Sequence, residues 1–342
     1  MKCLIVGDPG LPSKYIYEGM RRLERYGVSF TSIDWRKNLS IERFYSVIME
    51  IEREGVGGVK PFREMFELIF DKEILIVHFA PVSSQIIENG RALKIIGCAR
   101  GGLENIDVKA AGERGITIIN APGRNADAVA DLTMGLILSL VRRIASSHCL
   151  LKKGIWRSFS RERLPYDLRG KVLGVIGFGN IGREVAKRAK AFGMIILAYD
   201  PYVDKEAFSR FGAEPVDLHN LLSNSDVVSL HTRLTAETYH LFGEREFKMM
   251  KRTAFFINTA RGRLVDERAL VKALEEEWIS GAALDVFEEE PVSGENPILR
   301  FENVVLTPHI AGSTRESILV NGPKIISDRI EELLRYQSIT TS

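Results

Sequence analysis

Long hydrophobic runs, paired cysteines and an excess of one charge are all missing from this 342-residue chain. The most apolar stretch, residues 132–141, is bounded by Asp131 and Arg142 and falls well short of the roughly 20 residues a membrane helix needs. The opening Met1-Lys2-Cys3-Leu4-Ile5-Val6-Gly7-Asp8 carries too short an apolar run for a secretory signal. Cys3, Cys98 and Cys149 are far apart and form no CxxC pair, which argues against a disulfide framework and against a zinc site. With 47 Lys+Arg against 45 Asp+Glu the net charge is +2, so the basic excess of a nucleic-acid binder is absent. These absences lead us to expect a reduced, cytoplasmic protein that holds no metal and has neither nucleic acid nor membrane as a partner.

What is present is an ordinary globular composition, 45% hydrophobic and 27% charged, long enough for two domains at about 150 residues each. Short apolar runs at 2–7, 28–33, 74–79, 93–98 and 116–120 read as strands, and so do 171–177, 195–199, 226–231, 254–258, 281–286 and 303–307. Most are β-branched or leucine-rich and apolar throughout, as strands buried on both faces of a parallel sheet are. Helical patterns such as 181–192 and 267–277 separate them. The expected fold class is therefore α/β, with two doubly wound parallel-sheet domains.

Asn120-Ala121-Pro122-Gly123 and Thr307-Pro308-His309 read as joints, the first leading into one long apolar helix over about 125–150. The expected domains are 1–120 with 310–342, closed by the last helix, and 121–309 inserted between them. Residues 152–169 are polar and irregular around Trp156, Phe159 and Tyr166, either a locally packed loop or an arm for a second subunit.

Gly177-Phe178-Gly179-Asn180-Ile181-Gly182 follows an apolar strand and opens a helix. That context turns a weak GxGxxG into a dinucleotide fingerprint: one glycine for the tight turn, one for approach of the pyrophosphate, one for helix–strand packing. Asp200 ends the next strand, 18 residues after Gly182. An acidic residue there accepts from the adenosine ribose and repels a 2′-phosphate, so the expected cofactor is NAD.

Ligands of open α/β sheets bind beyond the carboxyl ends of the strands. Those ends read His231, then Asn258-Thr259-Ala260-Arg261-Gly262, then Asp285 followed by Glu290, and finally His309. An imidazole suits the proton on a substrate oxygen, which makes His309 or His231 the candidate acid/base. Glu290 beside an imidazole would favour its charged form. Arg261 suits a substrate carboxylate, and Asp285 a nicotinamide amide. His78 ends a first-domain strand and is a candidate for the substrate pocket. His148, His219 and His240 lie in helical or loop stretches and are read as surface residues.

These stretches, with Leu284-Asp285-Val286-Phe287, Glu290-Pro291 and Thr307-Pro308-His309-Ile310-Ala311-Gly312, resemble the D-isomer-specific 2-hydroxyacid dehydrogenase family over about residues 74–314. The resemblance implies a Rossmann NAD-binding domain inserted in a flavodoxin-like substrate domain. It also implies Arg261 on the carboxylate and carbonyl, His309 as acid/base and Glu290 as its carboxylate partner. Asp285 and the Thr259 backbone would orient the nicotinamide, with His231 beside the cofactor. The Gly101 and Gly102 backbone would bind a small anionic 2-hydroxy or 2-keto acid, and the helix after Ala121 would form a homodimer interface. Three departures stand out: Arg233 where the family usually has proline, Arg100 before the glycine pair, and His78-Phe79-Ala80 where phosphoglycerate dehydrogenases often carry arginine. Two rival readings accompany this one: phosphoglycerate oxidation, and an NAD-sensing protein like the family's corepressors.

Overall fold

A computed structural model describes residues 1–58, 62–156 and 164–340. The chain forms two compact units, Met1–Asn125 with Ser313–Ser342, and Ala126–Gly312.

In the first unit the strands are β1 (Lys2–Gly7), β2 (Ser29–Asp34), β3 (Ile74–Val77), β4 (Ile95–Cys98) and β5 (Thr117–Asn120). They pair in parallel in the order β2-β1-β3-β4-β5, which is the flavodoxin-like order. The sequence of β1 explains why both faces are covered. Cys3 and Ile5 point into one apolar layer with Ile74, Ile76, Ile326 and Ile330, while Leu4 and Val6 point into the other with Phe44, Leu75 and Val77. The first layer is closed by the helix Asn321–Thr340. It lies so near β4 that a β-carbon on Gly97 would stand 2.8 Å from Ile326 Cγ2.

The second unit contains β6 (Val172–Ile176), β7 (Ile195–Tyr199), β8 (Glu214–Pro215), β9 (Val227–Leu230), β10 (Phe255–Asn258), β11 (Gly281–Leu284) and β12 (Val304–Leu306). All seven run parallel in the order β12-β11-β10-β9-β6-β7-β8. The order reverses between β6 and β9, so the crevice that a dinucleotide uses opens beyond Ile176 and Leu230. The helix Asn180–Ala191 buries Gly182, Val185, Ala186 and Ala189, an i, i+3, i+4, i+7 stripe against the sheet.

Three features differ from the sequence reading. The long helix over 125–150 is two helices, Ala126–Val141 and Ile144–Lys152. The break falls at Arg143, whose φ of 56° is left-handed, and no glycine or proline marks it. The two-residue β8 is too short and too exposed to leave a hydrophobic signal. The strand read through Phe79 ends at Val77, so His78 and Phe79 lie beyond it. Within 152–169, Trp156 is 89% exposed and Tyr166 packs its ring on Phe255, while Phe159 lies outside the described residues.

Candidate functional site

The glycine loop is shaped by close approaches that only glycine permits. Gly177 has φ +89°, and a β-carbon on it would stand 2.6 Å from the His231 carbonyl carbon. One on Gly182 would stand 2.1 Å from the Gly177 oxygen. A β-carbon on Gly179 would meet nothing within 4 Å. Gly179 is the N-cap of the Asn180–Ala191 helix and supplies no side-chain cap, so the N–H groups of Asn180, Ile181 and Gly182 start the helix without one. An open face lined by first-turn donors fits a pyrophosphate. Asp200 ties this loop to β7: Oδ2 accepts from Phe178 N at 2.8 Å and Oδ1 from Tyr202 N at 3.0 Å. Each oxygen keeps a second lone pair, which fits ribose hydroxyls.

His231 follows β9, with its backbone against Gly177 and its Nε2 2.9 Å from Ser229 Oγ. Desolvation pushes its pKa down to about 3, so the ring is neutral near pH 7.

Beyond β10, the chain turns under control of Asn258, a residue 1% exposed. Its amide nitrogen donates to Arg261 O at 2.9 Å and its oxygen accepts from Ala260 N at 3.0 Å. Thr259 Oγ1 lies 3.0 Å from Thr133 Oγ1, which itself donates to Val129 O at 2.7 Å. Arg261 leaves this turn exposed, with Nη1 2.7 Å from Ala260 O.

Asp285, just past β11, is fully buried. Its Oδ1 accepts from Thr307 Oγ1 at 2.5 Å and from Ile310 N at 2.9 Å, and its Oδ2 accepts from Ala311 N at 2.8 Å. About three of its four acceptor positions therefore hold the turn that carries His309, a use the sequence reading did not foresee. His309 sits in that turn with φ +54° and donates its N–H to Asp285 O at 2.8 Å. Its Nδ1 is 2.7 Å from Glu290 Oε2, with the imidazole half exposed. Glu290 Oε1 accepts from Phe287 N at 2.9 Å, so both carboxylate oxygens are oriented.

In the first unit, His78 is 3% exposed, buried in the loop that follows β3. Its Nδ1 is 3.1 Å from both oxygens of Asp8, which also accepts from Gly10 N, Leu11 N and Phe79 N. His78 Nε2 is buried without a hydrogen-bond partner. Arg100 is buried too, 3.2 Å from Glu104 and 4.1 Å over the Phe79 ring. Gly101 O accepts from Asn120 at 2.6 Å, and Gly102 O accepts from the Cys98 thiol, whose pKa burial pushes up to about 11. Asn105, fully buried, donates to His78 O and Ala80 O and so joins this loop to the end of β3. Sequence reasoning missed Asp8 and Asn105. Asp8 directly follows β1, so reading strand ends in the first sheet as well would have found it.

Residues 134–311 match the family model described as D-isomer specific 2-hydroxyacid dehydrogenase, NAD binding domain. The chain is 46% identical over 292 residues to a D-3-phosphoglycerate dehydrogenase of Methanocaldococcus jannaschii, covering 84% of this chain but 55% of that protein. It is 44% identical over 283 residues to a glyoxylate reductase of Thermococcus litoralis, covering 81% of this chain and 84% of the relative. In fold it is similar to the NAD complexed form of a D-isomer specific 2-hydroxyacid dehydrogenase from Lactobacillus delbrueckii ssp. bulgaricus, with a TM-score of 0.77 at 22% identity and 97% of each chain covered. The chain belongs to the D-isomer specific 2-hydroxyacid dehydrogenase family. It is an oxidoreductase whose second unit is an NAD-binding domain. Among the described residues, no helix is long and apolar enough to cross a membrane.

Proposed function

We propose that the chain interconverts a small, unphosphorylated D-2-hydroxy acid and its 2-keto acid with NAD, using His309, Glu290 and Arg261. The observation that carries this reading is the 2.7 Å His309–Glu290 pair, held in the turns that follow β12 and β11, while Arg261 lies in the turn that follows the adjacent β10. Bound NAD supplies the nicotinamide carbon that exchanges hydride with the substrate. His309 Nδ1–H donates to Glu290, which fixes the tautomer and leaves Nε2 to exchange the proton with the substrate oxygen. During reduction Nε2–H gives that proton to the keto oxygen, and during oxidation Nε2 takes it from the hydroxyl. Glu290 stabilises the imidazolium in both directions. A His231 ring that is neutral down to about pH 3 favours His309 as the acid.

Arg261 would take the substrate carboxylate through paired N–H groups and polarise the neighbouring carbonyl. The first-turn N–H groups at 180–182 would receive the pyrophosphate, Asp200 the adenosine ribose, and the Thr259 backbone, Asp285 and His231 the nicotinamide side. In the first unit, the Gly101 and Gly102 backbone, Arg100 and His78 are the candidates for substrate contact. A histidine stands where arginine would favour a phosphorylated substrate, and this supports the unphosphorylated class. We further propose a homodimer, supported by the exposed Ile144, Leu151, Ile155 and Trp156 on and after the Ile144–Lys152 helix. A cytoplasmic location is supported by three free thiols, two of them buried.

One panel tests the reading: NADH oxidation with glyoxylate, hydroxypyruvate, pyruvate, longer 2-keto acids and phosphohydroxypyruvate, run on the native enzyme and on His309→Gln. Turnover with an unphosphorylated acid that is largely lost in the variant is expected. Preference for phosphohydroxypyruvate would move the substrate to phosphoglycerate. Binding of NADH with no turnover on any acid would favour an NAD-responsive interaction protein.

A further inference from the structure

His240 lies outside the glycine loop and the strand-end residues, yet it touches both the segment that follows Arg261 and the turn that carries Glu290. Its backbone is left-handed, with φ +50°, a conformation histidine adopts at some cost. His240 N donates to Arg263 O at 2.9 Å, Phe242 N donates to Leu264 O at 3.0 Å, and Asp266 N donates to Phe242 O at 2.9 Å. Residues 240–242 are thus a strap laid along 263–266, the continuation of the turn that carries Arg261.

The side chain of His240 reaches the other way. Its Nε2 is 2.8 Å from Glu288 Oε1, and the Tyr239 ring stacks on it at 4.0 Å. Glu288 Oε2 accepts from Glu267 N at 3.3 Å, and Glu288 N donates to Glu267 Oε2 at 3.2 Å. The next link is the one that matters for chemistry. Phe287 N, beside Glu288, donates to Glu290 Oε1 and leaves Oε2 facing His309 Nδ1.

We infer that His240 is a positioning residue: with Glu288 it fixes the 287–290 turn against the Arg261 segment, so that Glu290 presents Oε2 to His309. The inference rests on the reading of His309 and Glu290 as the acid/base pair. His240 and Glu288 are each about 30% exposed, so the pair adds little to global stability. Its loss is therefore expected in the geometry of the dyad and only slightly in the melting temperature.

The experiment uses His240→Asn, which tolerates a left-handed backbone but is too short to span to Glu288. It also uses Glu288→Gln, which keeps an acceptor for Glu267 N while removing the carboxylate charge. Each is made alone and in a Glu290→Gln background, and kcat, KM for the best keto acid, NADH affinity and melting temperature are measured. Each single variant is expected to lower kcat about ten-fold, as a small misplacement of a reacting group does, with NADH affinity within about two-fold. In the Glu290→Gln background neither substitution is expected to lower kcat further, because the residue through which both act is already disabled. Wild-type kcat in folded single variants would overturn the inference, and so would full multiplicative losses in that background. Failure of both variants to fold would overturn it as well, since the pair would then be holding the fold. Wild-type kcat in Glu290→Gln itself would instead refute the acid/base reading.

Discussion

Replacing Gly262 with alanine adds one methyl group at the tightest contact near the dyad. A β-carbon there would stand 1.7 Å from the Phe287 carbonyl oxygen, 1.9 Å from its carbon and 2.5 Å from Glu288 N. All three are backbone atoms, so no side-chain rotation relieves the clash. Real β-carbons essentially never approach closer than 3.0 Å, so the 262 backbone and the 287–290 turn must part by about 3.0 − 1.7 = 1.3 Å. A retreat of that size directed away from His309 would stretch the 2.7 Å Nδ1–Oε2 contact to 4.0 Å, outside hydrogen-bond range. Misplacement by about 1 Å costs on the order of 100-fold in rate, while overpacking costs about 1–3 kcal/mol of stability.

Gly262→Ala is thus expected to melt cooperatively, to bind NADH with nearly native affinity and to turn over keto acid roughly 100-fold more slowly. Steady-state NADH oxidation gives the rate, and NADH fluorescence titration gives the affinity. A folded variant whose kcat stays within about three-fold of wild type would refute the reasoning, because the turn would then have moved without disturbing the chemistry.

Gly179→Ala is the opposite case: the added carbon meets nothing within 4 Å, so melting should be unchanged while NADH affinity falls about ten-fold by titration. Asp200→Ala should reduce the preference for NADH over NADPH by about ten-fold or more, measured as the ratio of kcat/KM values. His231 is held neutral, with a folded pKa of about 3 against 6.5 for an unperturbed histidine. Its share of stability is therefore complete above pH 6.5 and is lost as pH falls from 6.5 towards 3, by up to about 2–3 kcal/mol at pH 4.5. His231→Gln should remove that share, and parallel melting-temperature curves for the two proteins between pH 7 and 4.5 would contradict it. Ile330→Ala removes a fully buried side chain from the layer under the first sheet and should cost about 2–5 kcal/mol by urea denaturation.

Strand ends were the most legible part of the sequence because buried parallel strands give the chain no packing reason to finish in Asn258, Asp285 or His309. The same logic covers the glycine loop, where Gly177 and Gly182 each answer a separate steric demand and Gly179 leaves an open face. What sequence could not supply was direction. Asp285 looked like a ligand for the nicotinamide, but its carboxylate spends most of its acceptor capacity on the 307–311 turn. His78 was read at a strand end as a candidate for the substrate pocket, and the linear order held no sign that Asp8, 70 positions away, faces its Nδ1. The helix break at Arg143 was illegible because an apolar stripe continues across it and the residues there are ordinary helix formers. His240 was read as a surface residue because nothing in the linear order places it beside Glu288, 48 residues on.

The helix Asn321–Thr340 has a consequence for how the protein is made. Ile326 packs against Gly97, 229 residues earlier in the chain, so the part of that face not covered by Leu11, Ile16 and Met20 stays open until residues 321–340 have been synthesised. Residues 126–312, by contrast, have all their strands before that point and can collapse as they leave the ribosome. Synthesis therefore completes the inserted unit first, and the unit that starts the chain is the last to become native. During that interval the aliphatic surface that Ile326 and Ile330 later cover, around Ile76 and Gly97, stays exposed, the place where a chaperone would be needed and where aggregation would begin.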